Sequence, residues 1–282
     1  MDKLPQTIFL KLTSKCNHNC KYCYDSKKHP DMTLFQLKKL FGLFHRGSVK
    51  AIVLSGGEPL IRTDIPEIFK AIKDLDMQIY LDTNGDLFFK YKEAIDKYVD
   101  ILGLPIDYAS EKKFFRTPEN FKNILKILEY YSKIKNRPII RIGTVVTKEN
   151  INHLKEIGDL LKNYPIGSWK IYQFIPIGPN AFANRSSLNI NTEEFIKKTA
   201  AIEREYSKYF KITISKRESR NKAYFFVSSD GTVFMPMDDE INHGDMEIGN
   251  IFDTDIIQKW LKVVDMNNYN ENVRRTFNYN KI

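Results

Sequence analysis

Between residue 7 and about residue 175, short β-branched runs alternate with longer stretches of helical periodicity. The strand-like runs are TIFLKLT (7–13), AIVLS (51–55), QIYLDT (78–83), DILGLPI (100–106), IIRIGTVV (139–146) and WKIYQF (169–174). Helical patterns separate them. At 33–44, Leu34, Leu37, Phe41 and Phe44 share a face behind a Thr33–Gln36 capping box. Asp64 and Glu67 are expected to cap a second helix, and others cover about 88–98, 118–135 and 150–163. In the fourth, Phe121, Ile124, Leu125, Leu128 and Tyr131 line up behind a Thr117-Pro118 start. Six such units predict parallel strands joined by right-handed crossovers. Six are fewer than the eight of a closed barrel, so the predicted fold class is α/β, a partial (β/α)6 TIM-like barrel.

Chemistry in such sheets gathers at the carboxyl ends of the strands. Three features fall there: a cysteine-bearing loop after the first strand, a glycine pair after the second, and Thr83-Asn84-Gly85 after the third. Beyond PIGPN (176–180) the pattern changes. A helix over about 192–209 precedes a strand at 211–215, a hairpin over 223–236 turning at Asp230-Gly231, and a last helix at 255–264. The asparagine-rich tail after it is expected to be loose. The reading divides the chain into a barrel core, 1–180, and an α+β extension, 181–282, that closes the barrel and contributes to the substrate site.

All three cysteines lie within eight positions, 16–23, spaced C-x3-C-x2-C. No stretch reads as a signal peptide or as an apolar run long enough to span a bilayer, so a soluble, cytoplasmic protein is expected. There, clustered cysteines favour metal or redox chemistry over disulfides. Lys and Arg number 44 against 35 acidic residues, a formal +9. The excess is spread over presumptive solvated helix faces, so neither nucleic acid nor a membrane is the expected partner. Three thiols cannot complete a tetrahedral zinc site unless His18 or His29 joins them, and an ordinary ferredoxin cluster needs a fourth thiolate. The other reading takes the missing ligand as the purpose: three thiolates hold three irons of a [4Fe–4S] cluster, and the fourth iron stays open.

At this point a resemblance enters. CNHNCKYC (16–23) resembles the signature of the radical S-adenosylmethionine (SAM) superfamily, and SGGEP (55–59) after the second strand resembles its second motif. The resemblance spans most of residues 7–175. It implies a cluster on Cys16, Cys20 and Cys23, with SAM chelating the open iron through its amino and carboxylate groups. It further implies that the backbone of Gly56, Gly57 and Glu58 receives the SAM amino group. There, glycines would let the strand end approach the cofactor. By the same resemblance Tyr22 sits beside cluster and adenine, Asn84 contacts SAM, and Arg116 pairs with its carboxylate. Pro105 stands where many members place a polar ribose contact, which leaves Asp107 as the candidate. The implied activity is reductive cleavage of SAM to a 5′-deoxyadenosyl radical, fed by a donor such as flavodoxin or ferredoxin.

For the substrate, GTVVTKEN followed by SWKIYQF, and ESRNKAYFFVSSDG, resemble the viperin-like branch, which dehydrates nucleoside triphosphates. Lys170 then faces the barrel mouth toward phosphate, with Arg141, Arg217 and Arg220 as further candidate contacts and Lys216 and Lys222 adding charge. The branch's lysine and asparagine on the fifth strand are here Arg141 and Gly143, and its tyrosine near the hairpin falls at about Asp230-Gly231. The alternative is a peptide- or other small-molecule-modifying enzyme. The segment from SDGTVFMP to EIGNIFDTDIIQKW resembles a SPASM or twitch tail, but Pro236 and Met237 stand where its cysteines would be, and no complete auxiliary cluster is possible. A reading of another class, a non-catalytic iron–sulfur protein that binds RNA, leaves SGGEP without a use.

Overall fold

Side chains alternate across a strand, so each strand here sorts its residues between two environments. The structure, a computed structural model, describes residues 3–24, 29–110, 115–238 and 243–277. Strand β1 (Thr7–Thr13) buries Ile8, Leu10 and Leu12 on the helix-covered side and turns Phe9 to the opposite face. The units that follow are α1 (Leu34–Arg46), β2 (Ala51–Gly56), α2 (Ile65–Lys73), β3 (Gln78–Asp82), α3 (Phe88–Tyr98), β4 (Ile101–Pro105), α4 (Pro118–Ser132), β5 (Ile139–Val146), α5 (Leu154–Leu161) and β6 (Ser168–Gln173). These are the six predicted units. Thr33 and Gln36 form the expected capping box, and Thr117 caps α4 ahead of Pro118. Asp64 differs: its carboxylate chelates the Arg62 guanidinium at 2.9 and 2.7 Å and makes no cap bond.

Short helices α6 (Pro179–Ala183) and α7 (Arg185–Leu188) and a longer α8 (Thr192–Tyr206) lead to β7 (Lys211–Ser215), which adds in parallel to β6. Then come β8 (Phe226–Val227), β9 (Thr232–Asp238), β10 (His243–Asn250), α9 (Ile256–Leu261) and α10 (Met266–Phe277). All strands form one sheet in the order β10-β9-β8-β1-β2-β3-β4-β5-β6-β7. Neighbours from β8 through β7 pair in parallel, while β9 and β10 return antiparallel beyond β8. Residues after 180 therefore extend the sheet at both edges. Across the opening between those edges, Arg217 forks onto the Asp238 carboxylate and the Lys222 amide bonds to the Pro236 carbonyl at 3.1 Å.

The expected loose tail is instead helical through Phe277; residues 278–282 lie outside the described residues. Its asparagines bond into the fold. Asn268 donates to the carbonyls of Asn221 and Glu218, and buried Asn272 donates to Ser219 O at 2.7 Å while accepting the Tyr224 hydroxyl at 3.2 Å. The hairpin turns as expected at Asp230-Gly231, with Gly231 at φ +92°. No helix among the described residues is long and apolar enough to cross a membrane.

Candidate active site

The carboxyl end of β2 meets the exit of β1 without room for a side chain. Gly56 has φ +131°, a left-handed conformation that disfavours other residues. A Cβ on Gly57 would collide with Lys15 O, lie 2.6 Å from the Lys15 carbonyl carbon and 3.1 Å from Cys16 Cβ. The Gly57 amide donates to Thr13 O and the Glu58 amide to Lys15 O, each at 2.8 Å. The glycine pair thus lies directly under the chain that carries Cys16. The first thing a side chain there would strike is the cysteine loop itself, rather than the bound cofactor expected from the sequence.

Buried Glu58 serves structure through its carboxylate. It accepts the Leu60 amide (3.0 Å), the Thr83 hydroxyl (2.7 Å) and the Asn84 amide (2.7 Å), tying the end of β2 to that of β3. Burial raises its pKa, against those three hydrogen bonds. Asn84 donates from Nδ2 to Asn17 Oδ1 at 2.7 Å and accepts the Asp86 amide at 3.0 Å. It therefore holds the cysteine loop as well as making a turn.

Cys16 is exposed, Cys23 half-buried and Cys20 buried. Cys20 and Cys23 pack with Tyr22, Tyr108, Phe115 and Phe174, a dry aromatic wall. Burial pushes the Cys20 thiol up to about 11, partly opposed by the Arg116 charge. Arg116 donates to Cys20 Sγ at 3.4 Å, lies 5.6 Å above the Tyr22 ring and approaches Asp107 at 3.8 Å. The buried Asp107 carboxylate accepts the Tyr22 hydroxyl at 2.6 Å and the Val145 amide at 2.8 Å. Its pKa is raised by burial and pulled back by Arg116. So the structure brings Cys20, Tyr22, Asp107 and Arg116 into one contact group, and Asp107, the candidate ribose contact, orients Tyr22 and Arg116.

These residues fit an iron–sulfur cluster with an anionic ligand beside it. Arg116 Nε is buried with no hydrogen-bond partner among the described residues, a donor suited to a carboxylate. The His18 amide already points at Cys16 Sγ, 3.4 Å away. No three His, Cys, Asp or Glu side chains among the described residues gather around a point where one metal ion could sit. His18 Nε2 is bonded to Asp86 and His29 Nδ1 to Asp230, so neither offers that nitrogen as a fourth zinc ligand.

The expected substrate contacts are dispersed by their partners. Arg141 pairs with Asp82, and Gly103 lies between them, where a Cβ would strike the Asp82 carboxylate. Arg217 is held by Asp238, and half-buried Arg220 donates to the Gln173 carbonyl. Lys170 sits inside the barrel, 91% buried, with its ammonium 4.9 Å from the Tyr172 ring. Sequence reasoning missed Asp86 and Asn120, and it weighed His18 only as a zinc ligand, whereas the three together fasten the cysteine loop. It also missed Lys11, a buried interior lysine 4.4 Å from the Phe234 ring and 5.1 Å from that of Tyr24. A short-range pattern carries no sign of contacts made across such sequence distances.

An α/β partial barrel with a three-cysteine loop on its first strand and a glycine pair beneath it defines a class. The model of the Radical SAM superfamily matches residues 10–161, and the chain belongs to that superfamily. Its members use a [4Fe–4S] cluster and SAM. A probable GTP 3′,8-cyclase of Methanococcus maripaludis is 29% identical over 200 residues, 68% of this chain and 66% of that protein. An S-adenosylmethionine-dependent nucleotide dehydratase of Selenomonas ruminantium is 30% identical over 182 residues, 58% of this chain and 64% of that protein. The chain thus spans about two thirds of these relatives' length. In fold it resembles SuiB of Streptococcus suis bound to SAM (TM-score 0.71, 15% identity, 95% of this chain and 68% of that one).

Proposed function

We propose that this protein is a radical SAM enzyme acting on a nucleoside triphosphate, by dehydration as in the viperin-like branch. The observation that carries the radical SAM assignment is the glycine pair seated under the Cys16 backbone, which joins the two motifs into one site. When bound, the cluster and SAM supply a 5′-deoxyadenosyl radical that removes a hydrogen atom from substrate. The protein's part is to bind and orient. Cys16, Cys20 and Cys23 provide the thiolates, and the backbone at Gly56, Gly57 and Glu58 receives the SAM amino group. Arg116 meets the SAM carboxylate, Tyr22 flanks the adenine, Asn84 borders the cofactor, and Asp107 fixes Tyr22 and Arg116. A one-electron carrier such as flavodoxin or ferredoxin delivers the electron.

The nucleotide reading is supported by two relatives whose names describe action on nucleotides, and by the buried cation Lys170 inside the barrel. Lys170, buried inside the barrel against the Tyr172 ring, is the residue proposed to meet phosphate. Lys170→Ala should weaken nucleoside triphosphate binding about ten- to hundredfold, the worth of one hydrogen bond to a charged group. Substrate-free SAM cleavage should persist. If no nucleoside triphosphate binds the SAM-loaded wild type at millimolar concentration, the nucleotide reading fails. A peptide substrate is then the second reading, favoured by the likeness to SuiB over 95% of the chain, the tail included; SuiB is also solved with its precursor peptide SuiA.

A further inference from the structure

Asp86 follows the Asn84-Gly85 turn and collects four side-chain donors on one carboxylate. Oδ2 accepts His18 Nε2 at 2.6 Å and Asn17 Nδ2 at 3.2 Å, both from the cysteine loop. Oδ1 accepts Asn120 Nδ2 at 2.8 Å and Asn123 Nδ2 at 3.3 Å, both from α4. His18 lies midway between Cys16 and Cys20 and its side chain is only 4% exposed. Its backbone amide is the group aimed at Cys16 Sγ. One carboxylate therefore fixes the ring of the residue whose N–H serves a cluster sulfur.

We propose that Asp86 is a positioning residue that acts through His18: it locks the cysteine loop to α4 and holds the His18 N–H on Cys16 Sγ. His18 occupies one of the variable positions between the first two cysteines, and Asp86 lies outside both motifs. The requirement is for a carboxylate specifically. Four donors need two acceptor oxygens, and an asparagine offers one oxygen and turns an NH2 toward two donors. Burial pushes the Asp86 pKa up, but the bonds from His18, Asn120 and Asn123 outweigh it and lower it, as expected of an ionised acceptor. Hydrogen bonds to ligand sulfurs raise a cluster's potential and outer contacts set ligand orientation, so loss of this chain of contacts should be read at the cluster.

The inference rests on the cluster assignment, and its test keeps the two separable by beginning with the metal-free protein. In folded wild-type apoprotein, iodoacetamide should label exposed Cys16 well before Cys20, which is only 7% exposed. Asp86→Ala and Asp86→Asn should speed Cys20 labelling about ten- to hundredfold, as for loss of a charged hydrogen bond. His18→Ala should match them, His18→Gln should restore much of the protection by keeping a donor, and the double variant Asp86→Ala/His18→Ala should add little to either single one. After reconstitution, the midpoint potential of Asp86→Asn should lie below that of wild type. Wild-type Cys20 protection and potential in Asp86→Asn would overturn the proposal. So would full additivity in the double variant. If instead the wild type assembles no [4Fe–4S] cluster, the functional reading fails, while the labelling result still decides whether Asp86 locks the loop.

Discussion

Gly57→Ala offers a sharp test of how the two motifs are joined. The added methyl lies 2.6 Å from the Lys15 carbonyl carbon and 3.1 Å from Cys16 Cβ. Both neighbours belong to the chain entering the cysteine loop, so no rotamer change relieves the contact. The backbone must part by about 1 Å to reach ordinary separation. That movement stretches the two 2.8 Å bonds, Gly57 N to Thr13 O and Glu58 N to Lys15 O. Each is worth about 1 kcal/mol net, and leaving its buried partner unmet raises the cost toward 3 kcal/mol. The expected loss is about 2–5 kcal/mol. For a chain of this size that lowers the thermal midpoint of the apoprotein by roughly 5–15 °C. Iron and sulfide uptake on anaerobic reconstitution should fall as well, because the strained segment carries Cys16. Gly143→Ala is the control: its Cβ would meet only Tyr172 Cε2 at 3.5 Å, an ordinary contact, and stability should change by less than about 0.5 kcal/mol. A Gly57→Ala protein with the wild-type midpoint and full iron content would refute the argument that the glycines exist to seat the cysteine loop.

Two further perturbations probe what holds the site's surroundings. Burial raises the Asp230 pKa, but bonds from Thr232 and His29 outweigh it, so its folded value is depressed. Its stabilisation is therefore complete above the ordinary carboxyl range, about pH 4, and lost as pH falls through the depressed value. Asp230→Asn should cost about 0.5–1 kcal/mol at pH 7 and almost nothing near pH 2 in denaturant titrations; a gap independent of pH would refute this. Asn272→Ala removes the donor to the Ser219 carbonyl and the acceptor of the Tyr224 hydroxyl, so it should cost about 1–3 kcal/mol and raise amide exchange across 266–277. Unchanged exchange would show that the asparagines do not anchor α10.

The barrel was legible in the sequence because its signals are short-ranged. Apolar spacing marked α1 and α4, and Thr33 and Thr117 announced their starts. The glycine pair and the cysteines could be placed because strand ends follow from strand patterns. What stayed hidden depends on residues far apart in the chain. Phe226 pairs beside Phe9 in β1, more than 200 positions earlier, and no periodicity encodes that register. Helix α10 is polar along much of its length, and its order comes from Asn268 and Asn272 reaching carbonyls of residues 218–221. The Asp86 network is invisible for the same reason: its donors come from residues 17, 18, 120 and 123.

The fate of the basic residues carries the substrate argument further than their number does. A sequence reveals cations but not the acceptors that neutralise them. Arg217 spans the opening between the two sheet edges to reach Asp238, and Arg220 caps the Gln173 carbonyl at the end of β6. Both therefore brace the mouth of the barrel. Arg141 reaches Asp82 across Gly103, on strands β5, β3 and β4 in a common register. An anion that recruits Arg141 must compete with Asp82 for it. On the proposed nucleotide reading, phosphate is expected to avoid the β3–β5 wall, where Asp82 already matches Arg141, and to meet β6, where Lys170 lies against Tyr172. In the proposed enzyme, the Asp82–Arg141 pair would then bound the phosphate site proposed at Lys170.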